Sequence, residues 1–186
     1  VAKVGVEEFK TLLARDLPHA LVAPPASPLT ATNGHGEAAE AAPKAKGEKA
    51  PVNLLATVDA VVTPESIPEV LRYVRDTLGY ELLSNLSAVD YLTNGVIEVV
   101  YHLMHLDGGP PLVVKTRVPR DRAVVPSITP FWPGADLQER EAYDLYGVDF
   151  PGHPYLRRIY MWDAFEGFPM RKDFPKQGDK YFEDDE

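Results

Sequence analysis

The stretch Ile97-Glu98-Val99-Val100-Tyr101-His102-Leu103-Met104 is followed, across Asp107-Gly108-Gly109-Pro110-Pro111, by Val114-Lys115-Thr116-Arg117-Val118. In the first run Ile97, Val99, Tyr101 and Leu103 alternate with Glu98, Val100, His102 and Met104. In the second, Val114, Thr116 and Val118 stand opposed to Lys115 and Arg117. Side chains on a strand point alternately to its two faces, so both runs predict half-buried strands joined as a hairpin. The Gly/Pro loop is longer than a two-residue turn and leaves the register less constrained.

Outward from the hairpin, Ala56, Val58, Ala60 and Val62 alternate with Thr57, Asp59 and Val61, which predicts a strand from about Leu54. Ile67, Val70, Leu71, Val74 and Leu78 make one apolar helical stripe, with Arg72, Arg75 and Asp76 on the far side. Ser66 and Glu69 have capping-box spacing, Pro68 fits the first turn, and Gly79 suits the end. Tyr80, Leu82, Leu86 and Ala88 suggest a further extended segment before the turn at Thr93-Asn94-Gly95. The order β-α-β-β-β then meets a proline-rich stretch, in which Ser127 is placed to cap a short helical turn. A second main helix follows, with Asp136 and Glu139 in capping-box spacing, Ala142, Leu145 and Tyr146 facing inward, and Gly147 as terminator. Arg140 and Asp144 stand four apart with the basic residue first, the less favourable order for an intrahelical pair, which suggests partners elsewhere. The predicted class is α+β: a small antiparallel or mixed sheet with helices on one face.

The flanks read differently. Val6, Phe9 and Leu13 predict a short amphipathic helix within residues 1–23, ended by Pro18. Residues 24–51 are rich in Ala, Pro, Gly, Lys and Glu, a linker composition with too little apolar surface to offset the entropy of ordering. The core domain is assigned to 52–147 and a C-terminal interaction segment to 148–186. That segment opens on Phe150-Pro151-Gly152-His153, a type II turn by composition, and ends on the acidic Glu183-Asp184-Asp185-Glu186.

Composition narrows the function classes. The 186 residues carry 19 Lys and Arg against 28 Asp and Glu, a formal charge of −9, which disfavours a general affinity for nucleic acid or anionic lipid. Cysteine is absent, so neither disulfides nor the usual thiolate ligation of an iron–sulfur cluster is available. No window approaches the ~20 apolar residues of a membrane span, and the first ten residues carry Lys3, Glu7, Glu8 and Lys10 with no apolar core, unlike a signal peptide.

Four chemistries come into question on these residues. Glu139, Glu141 and Asp144 near His153 suggest an acid–base cluster, but Glu139 and Glu141 are two apart on a helix and diverge. His102 and His105 lie three apart on or beside a strand and face opposite ways, unsuited to one metal ion. Gly108-Gly109-Pro110 matches neither phosphate-loop pattern. Arg157-Arg158 and Arg171-Lys172, interleaved with Tyr155, Tyr160 and Trp162, would suit a nucleic-acid strip, yet arginine and aromatics are also what carries protein interfaces. The acidic charge favours the interface.

The run Glu139-Arg140-Glu141, Tyr143-Asp144, Gly147-Val148, Phe150, Gly152-His153-Pro154, Leu156-Arg157-Arg158-Ile159, with the later Gly167, Pro169 and Arg171-Lys172-Asp173-Phe174-Pro175, resembles the signature of the 30-kDa (C-type) subunit family of proton-pumping NADH:quinone oxidoreductase, respiratory complex I. The likeness extends back through Ser87-Ala88-Val89-Asp90-Tyr91, while the 24–51 segment departs from it. The resemblance implies a non-catalytic subunit of the hydrophilic arm, on the cytoplasmic face of the cell membrane. It implies no cofactor in this chain, with FMN and iron–sulfur clusters in partner subunits. Contacts are implied chiefly with the large D-type subunit that lines the quinone site, with the B-type and I-type subunits nearby. It assigns Glu139, Arg140, Asp144, His153, Tyr155, Arg157, Arg158, Arg171, Lys172, Asp173 and Phe174 to these contacts. The same module in a related membrane-bound hydrogenase or a dehydrogenase with another electron donor, and a stand-alone acid–base enzyme, are the alternatives.

Overall fold

The computed structural model describes residues 4–22, 53–54 and 59–175. The helices and strands, in order, are α1 (Val6–Asp16), β1 (Ala60–Val62), α2 (Ile67–Asp76), β2 (Leu82–Tyr91), β3 (Val96–Met104), β4 (Leu112–Pro119) and α3 (Ala135–Tyr146). The linker at 24–51, the early part of the first expected strand (Ala56 and Val58) and the acidic tail at 183–186 lie outside the described residues.

The two alternating runs form the hairpin, and the structure fixes its register. β3 pairs antiparallel with β4, Val99 opposite Thr116 and Tyr101 opposite Val114, and β2 flanks β3 with Ala88 opposite Val99. Strand order is β1-β4-β3-β2, and β1 runs parallel to β4, so the sheet is mixed. Ile97, Val99, Tyr101 and Leu103 join Val114, Val118, Leu86 and Ala88 in one core. Phe9 and Leu13 of α1, Val70, Leu71 and Val74 of α2, and Ala135 and Ala142 of α3 cover it. At ~25 cal/mol per Å² of apolar surface removed from water, such a cluster is the main stabilising term. α1 belongs to this body: Val22 N–H donates to Val61 O at 3.1 Å and Thr63 N–H to Ala20 O at 2.8 Å.

Two helix starts differ from their expected chemistry. Ser66 lies in a 3₁₀ turn (Pro64–Ser66), is already helical at φ −86°, ψ −6°, and makes no side-chain cap; its hydroxyl accepts from Thr63 Oγ1 at 2.8 Å. α3 follows Gly134, likewise without a side-chain cap. Asp136 is already its second residue, and Glu139 points inward. Ser127 turns its hydroxyl to Glu139 and Thr129, while the turn after it is closed by Phe131 and Trp132 N–H donating to Ile128 O. Gly147 ends α3 as expected, at φ +71°.

α3 lies against the outer strand. The Gln138 side-chain oxygen accepts from Leu86 N–H, and Trp132 Nε1 donates to Glu81 O at 2.8 Å. An open strand edge is a template for unwanted pairing, and here these groups cover part of it. Among the described residues no helix is long and apolar enough to cross a membrane.

Candidate subunit interface

The C-terminal carbonyls of α3 set the course of everything after Gly147. An α-helix leaves its last four C=O groups without intrahelical donors. Gly147 N–H takes Tyr143 O at 2.9 Å, and the remaining three go to a segment folded back from further along. Asp144 O accepts from Arg158 Nη1 at 3.1 Å, Leu145 O from Met170 N–H at 3.1 Å, and Tyr146 O from Arg171 Nε at 2.7 Å. Two guanidinium groups thus sit at the negative end of the helix dipole, where cations are stabilised. Residues 150–175, here called the ribbon, contain turns and bends but neither helix nor strand.

Two buried carboxylates fix the ribbon. Asp144, fully buried, receives Arg158 Nη1 on one oxygen at 2.7 Å. Its other oxygen accepts the backbone N–H groups of Ile159, Tyr160 and Met161 at 2.7–2.9 Å. Burial pushes the Asp144 pKa up, but these donors outweigh it and hold the carboxyl below its ordinary range. Asp90, 1% exposed, accepts from Arg120 Nε at 2.6 Å and from Lys172 N–H at 2.8 Å. Arg120 reaches on to Asp173 at 2.6 Å. The ribbon is therefore held near both ends, by α3 and by β2.

The expected contact residues divide into two groups. Glu139 and the His153 ring have no exposed side-chain surface, and Asp144 is equally sealed. The Ser127 hydroxyl donates to Glu139 Oε2 at 2.7 Å, and Ile128 N–H donates to Oε1 at 2.7 Å. Tyr155 N–H donates to His153 Nδ1 at 3.0 Å, which leaves Nε2 to carry the proton toward Asp136 O at 3.2 Å. Arg140 lies beneath the ribbon, with Nε donating to Arg157 O at 3.1 Å. Arg158 and Asp173 hold internal ion pairs, and Phe174 stacks on Phe165 at 5.8 Å. These residues give the surface its shape.

The outward-facing group is Tyr155, Arg157 and Lys172, with Arg171 partly covered. Arg157 lies over the Tyr155 ring at 4.5 Å, and Lys172 over Tyr91 at 5.7 Å. Sequence reasoning left Tyr160, Trp162 and Met170 out of the contact set, yet they are 60%, 66% and 53% exposed, unusually open for large apolar groups. It also passed over the Asp90–Arg120 anchor. The signal was present: Asp90 continues the inward series Leu86, Ala88, where a lone carboxylate calls for a buried cation.

Folding also brings together Glu139 and His153, two members of the acid–base cluster that the sequence suggests. His153 Nε2 lies 4.0 Å from Glu139 Oε2 because the Phe150–His153 turn doubles back over α3. Burial raises the Glu139 pKa to about 7, against the opposing bonds from Ile128 and Ser127. Glu141 is exposed, away from both. The nearest depression, about 310 Å³ between Thr129, Pro133, Asp136 and Pro154, is lined by neither Glu139 nor His153.

Comparison with known proteins places the chain in a family. Residues 60–180 match the family described as respiratory-chain NADH dehydrogenase, 30 kDa subunit. Over 121 residues the chain is 45% identical to the C subunit of NADH-quinone oxidoreductase from Moorella thermoacetica, covering 64% of this chain and 82% of that one. With the C subunit numbered 2 of the same enzyme from Rhizobium etli it shares 46% over 122 residues, covering 64% and 65%. It is also similar to a chain of the membrane-bound sulfane sulfur reductase, an archaeal respiratory membrane complex, at 27% identity and a TM-score of 0.63 over 92% of this chain. Buried anchors beneath an exposed aromatic and basic ribbon are thus found in a member of the respiratory-chain NADH dehydrogenase 30 kDa subunit family, to which the chain belongs.

Proposed function

We propose that this chain is a structural subunit of the hydrophilic arm of an NADH:quinone oxidoreductase, with no redox centre and no active site of its own. In that role it joins the complex at the cytoplasmic face of the cell membrane. It packs chiefly against the large D-type subunit at the quinone site, with the B-type and I-type subunits nearby. FMN and iron–sulfur clusters in other subunits carry electrons from NADH to quinone, coupled to proton translocation. The chain's contribution is geometric: it presents a surface that fixes its neighbours.

The observation that carries this reading is the ribbon. A segment without helix or strand is held at every α3 carbonyl it meets, while Tyr155, Tyr160, Trp162 and Met170 stay open to solvent. Aromatic and Arg side chains dominate interface energetics, and a preformed surface avoids the ordering entropy of association. Affinity purification of the tagged full chain from its native membranes tests it. Recovery of cluster-bearing and NADH-oxidising subunits is expected; a monomer recovered alone would overturn the reading.

A second reading has its own support. The likeness to a sulfane sulfur reductase chain covers nearly the whole molecule, which suits the same module in a membrane complex with another electron donor or acceptor. The identity of the co-purifying subunits decides between the two.

A further inference from the structure

The middle of the ribbon closes on a groove of about 620 Å³. Its walls are Met161, Trp162, Phe165 and Phe174, and among the described residues the charged ones that line it are Arg171 and Lys172. Neither cation has a carboxylate within ion-pair distance among the described residues, in contrast to Arg120 and Arg158. Arg171 is committed through Nε alone, to Tyr146 O, with its guanidinium over Phe168 at 4.7 Å. Burial, and then the neighbouring Arg120, lower its pKa, as for a cation lacking full compensation. Edge-to-face packing of Trp162 on Phe165 at 4.9 Å, and stacking of Phe165 on Phe174 at 5.8 Å, stiffen the aromatic wall. Gly167, at φ +90°, brings the chain close enough that a Cβ there would lie 2.8 Å from the Phe174 ring.

We propose that this groove seats an acidic, apolar segment of an adjoining subunit, its carboxylate taken by Arg171 and Lys172 and an apolar side chain lodged against Trp162 and Phe174. The inference rests on the subunit reading above and adds the partner's chemistry. Charge complementarity selects the occupant: two cations without a carboxylate at ion-pair distance, and no anion among the described lining residues, favour an acidic segment over a basic one. The open side of the groove, where Trp162 is exposed, admits a crossing peptide chain.

The test titrates full-length chain with three capped pentapeptides, EFDLE, its amide counterpart QFNLQ and the charge-reversed KFKLK. The readout is Trp162 emission, assigned by its loss in Trp162→Phe. Expected are a blue shift with the acidic peptide, binding at least about fivefold weaker for the amide, none for the basic peptide, and a loss of about fivefold in Lys172→Glu, all shrinking with salt. Equal binding of the three peptides, or an unchanged Lys172→Glu, overturns the proposal. If the full chain ignores all three while a chain cut after Pro175 binds the acidic one, the chain's own tail is the occupant and the proposal is overturned. Pull-downs separate this outcome from the parent reading. If the wild type retrieves partner subunits and the Trp162→Ala/Lys172→Glu variant retrieves them equally, the groove assignment fails and the subunit reading stands. If the wild type retrieves none, the subunit reading fails and the peptide titration still decides the groove.

Discussion

The Arg158 guanidinium lies 2.7 Å from the Asp144 carboxylate, whose second oxygen gathers the backbone N–H groups of the three residues that follow Arg158 in the ribbon. One buried side chain on α3 thereby sets both the charge pairing and the backbone path of the proposed contact surface. The same Arg158 donates through Nη2 to Gly167 O at 3.1 Å, linking the two arms of the ribbon.

Asp144→Ala strands a guanidinium and three N–H groups, and loss of one partner of such a buried pair costs about 3–5 kcal/mol. The loss falls first on the ribbon. Trypsin is expected to cleave at Arg157, Arg158 and Arg171 much faster than in the wild type, while hydrogen-exchange protection in β3 and β4 is kept. Loss of core protection along with the ribbon would mean that Asp144 stabilises the whole domain.

Gly147 serves α3 twice, through φ +71° and through its contact with Phe168. A Cβ there would lie 2.5 Å from that ring. The left-handed conformation alone costs a non-glycine residue roughly 1 kcal/mol. Displacing Phe168 adds to it, so Gly147→Ala is expected to lower the melting temperature by several degrees and to speed ribbon proteolysis. A variant as stable as the wild type contradicts this packing.

Arg120 separates a buried from an exposed ion pair. Arg120→Ala leaves Asp90, 1% exposed, without its cation, and about 3–5 kcal/mol is expected in urea denaturation. Asp173→Ala removes a partner that is 53% exposed and is expected to cost under ~1 kcal/mol. Equal losses would contradict the assignment of Asp90 as the anchor.

Glu139 gives the fold a pH dependence of unusual sign. Its pKa rises from 4.5 to about 7 on folding, so the native state holds the proton more tightly than the unfolded chain. This contribution is fully present below about 4.5, falls as pH rises, and is gone above about 7. Asp136, His153 and the buried Tyr101 hydroxyl face the same carboxyl. At ~1.4 kcal/mol per unit the wild type is expected to lose roughly 3 kcal/mol over that interval through this group. Glu139→Gln can keep the Ser127 and Ile128 partners and is expected to flatten that part of the profile. Parallel profiles for the two proteins would contradict it.

Periodic features were legible in the sequence because their physics is local. The two hairpin strands and their inward faces follow from alternation, the α2 stripe from helical spacing, and the Phe150–His153 turn from Pro151 and Gly152, with His153 N–H donating to Phe150 O at 3.1 Å. The capping boxes misled because spacing does not fix where a helix begins: a 3₁₀ turn leads into α2, and Glu69 reaches His19 at 2.9 Å instead. The parallel β1–β4 pair joins residues over fifty apart. The Asp144 anchor draws on backbone donors from the ribbon, which no side-chain pattern advertises.

Assembly measured with folding held constant tests the central claim most directly. Arg157 and Trp162 are outward-facing, and neither is in an ion pair among the described residues. An Arg157→Ala/Trp162→Ala chain is expected to match the wild type in circular dichroism and urea midpoint, yet to recover its partner subunits from native membranes at least tenfold less well, the loss of a single hot spot of ~1.4 kcal/mol or more. Full recovery of the partners by this folded variant would contradict the account of the ribbon as the assembly surface.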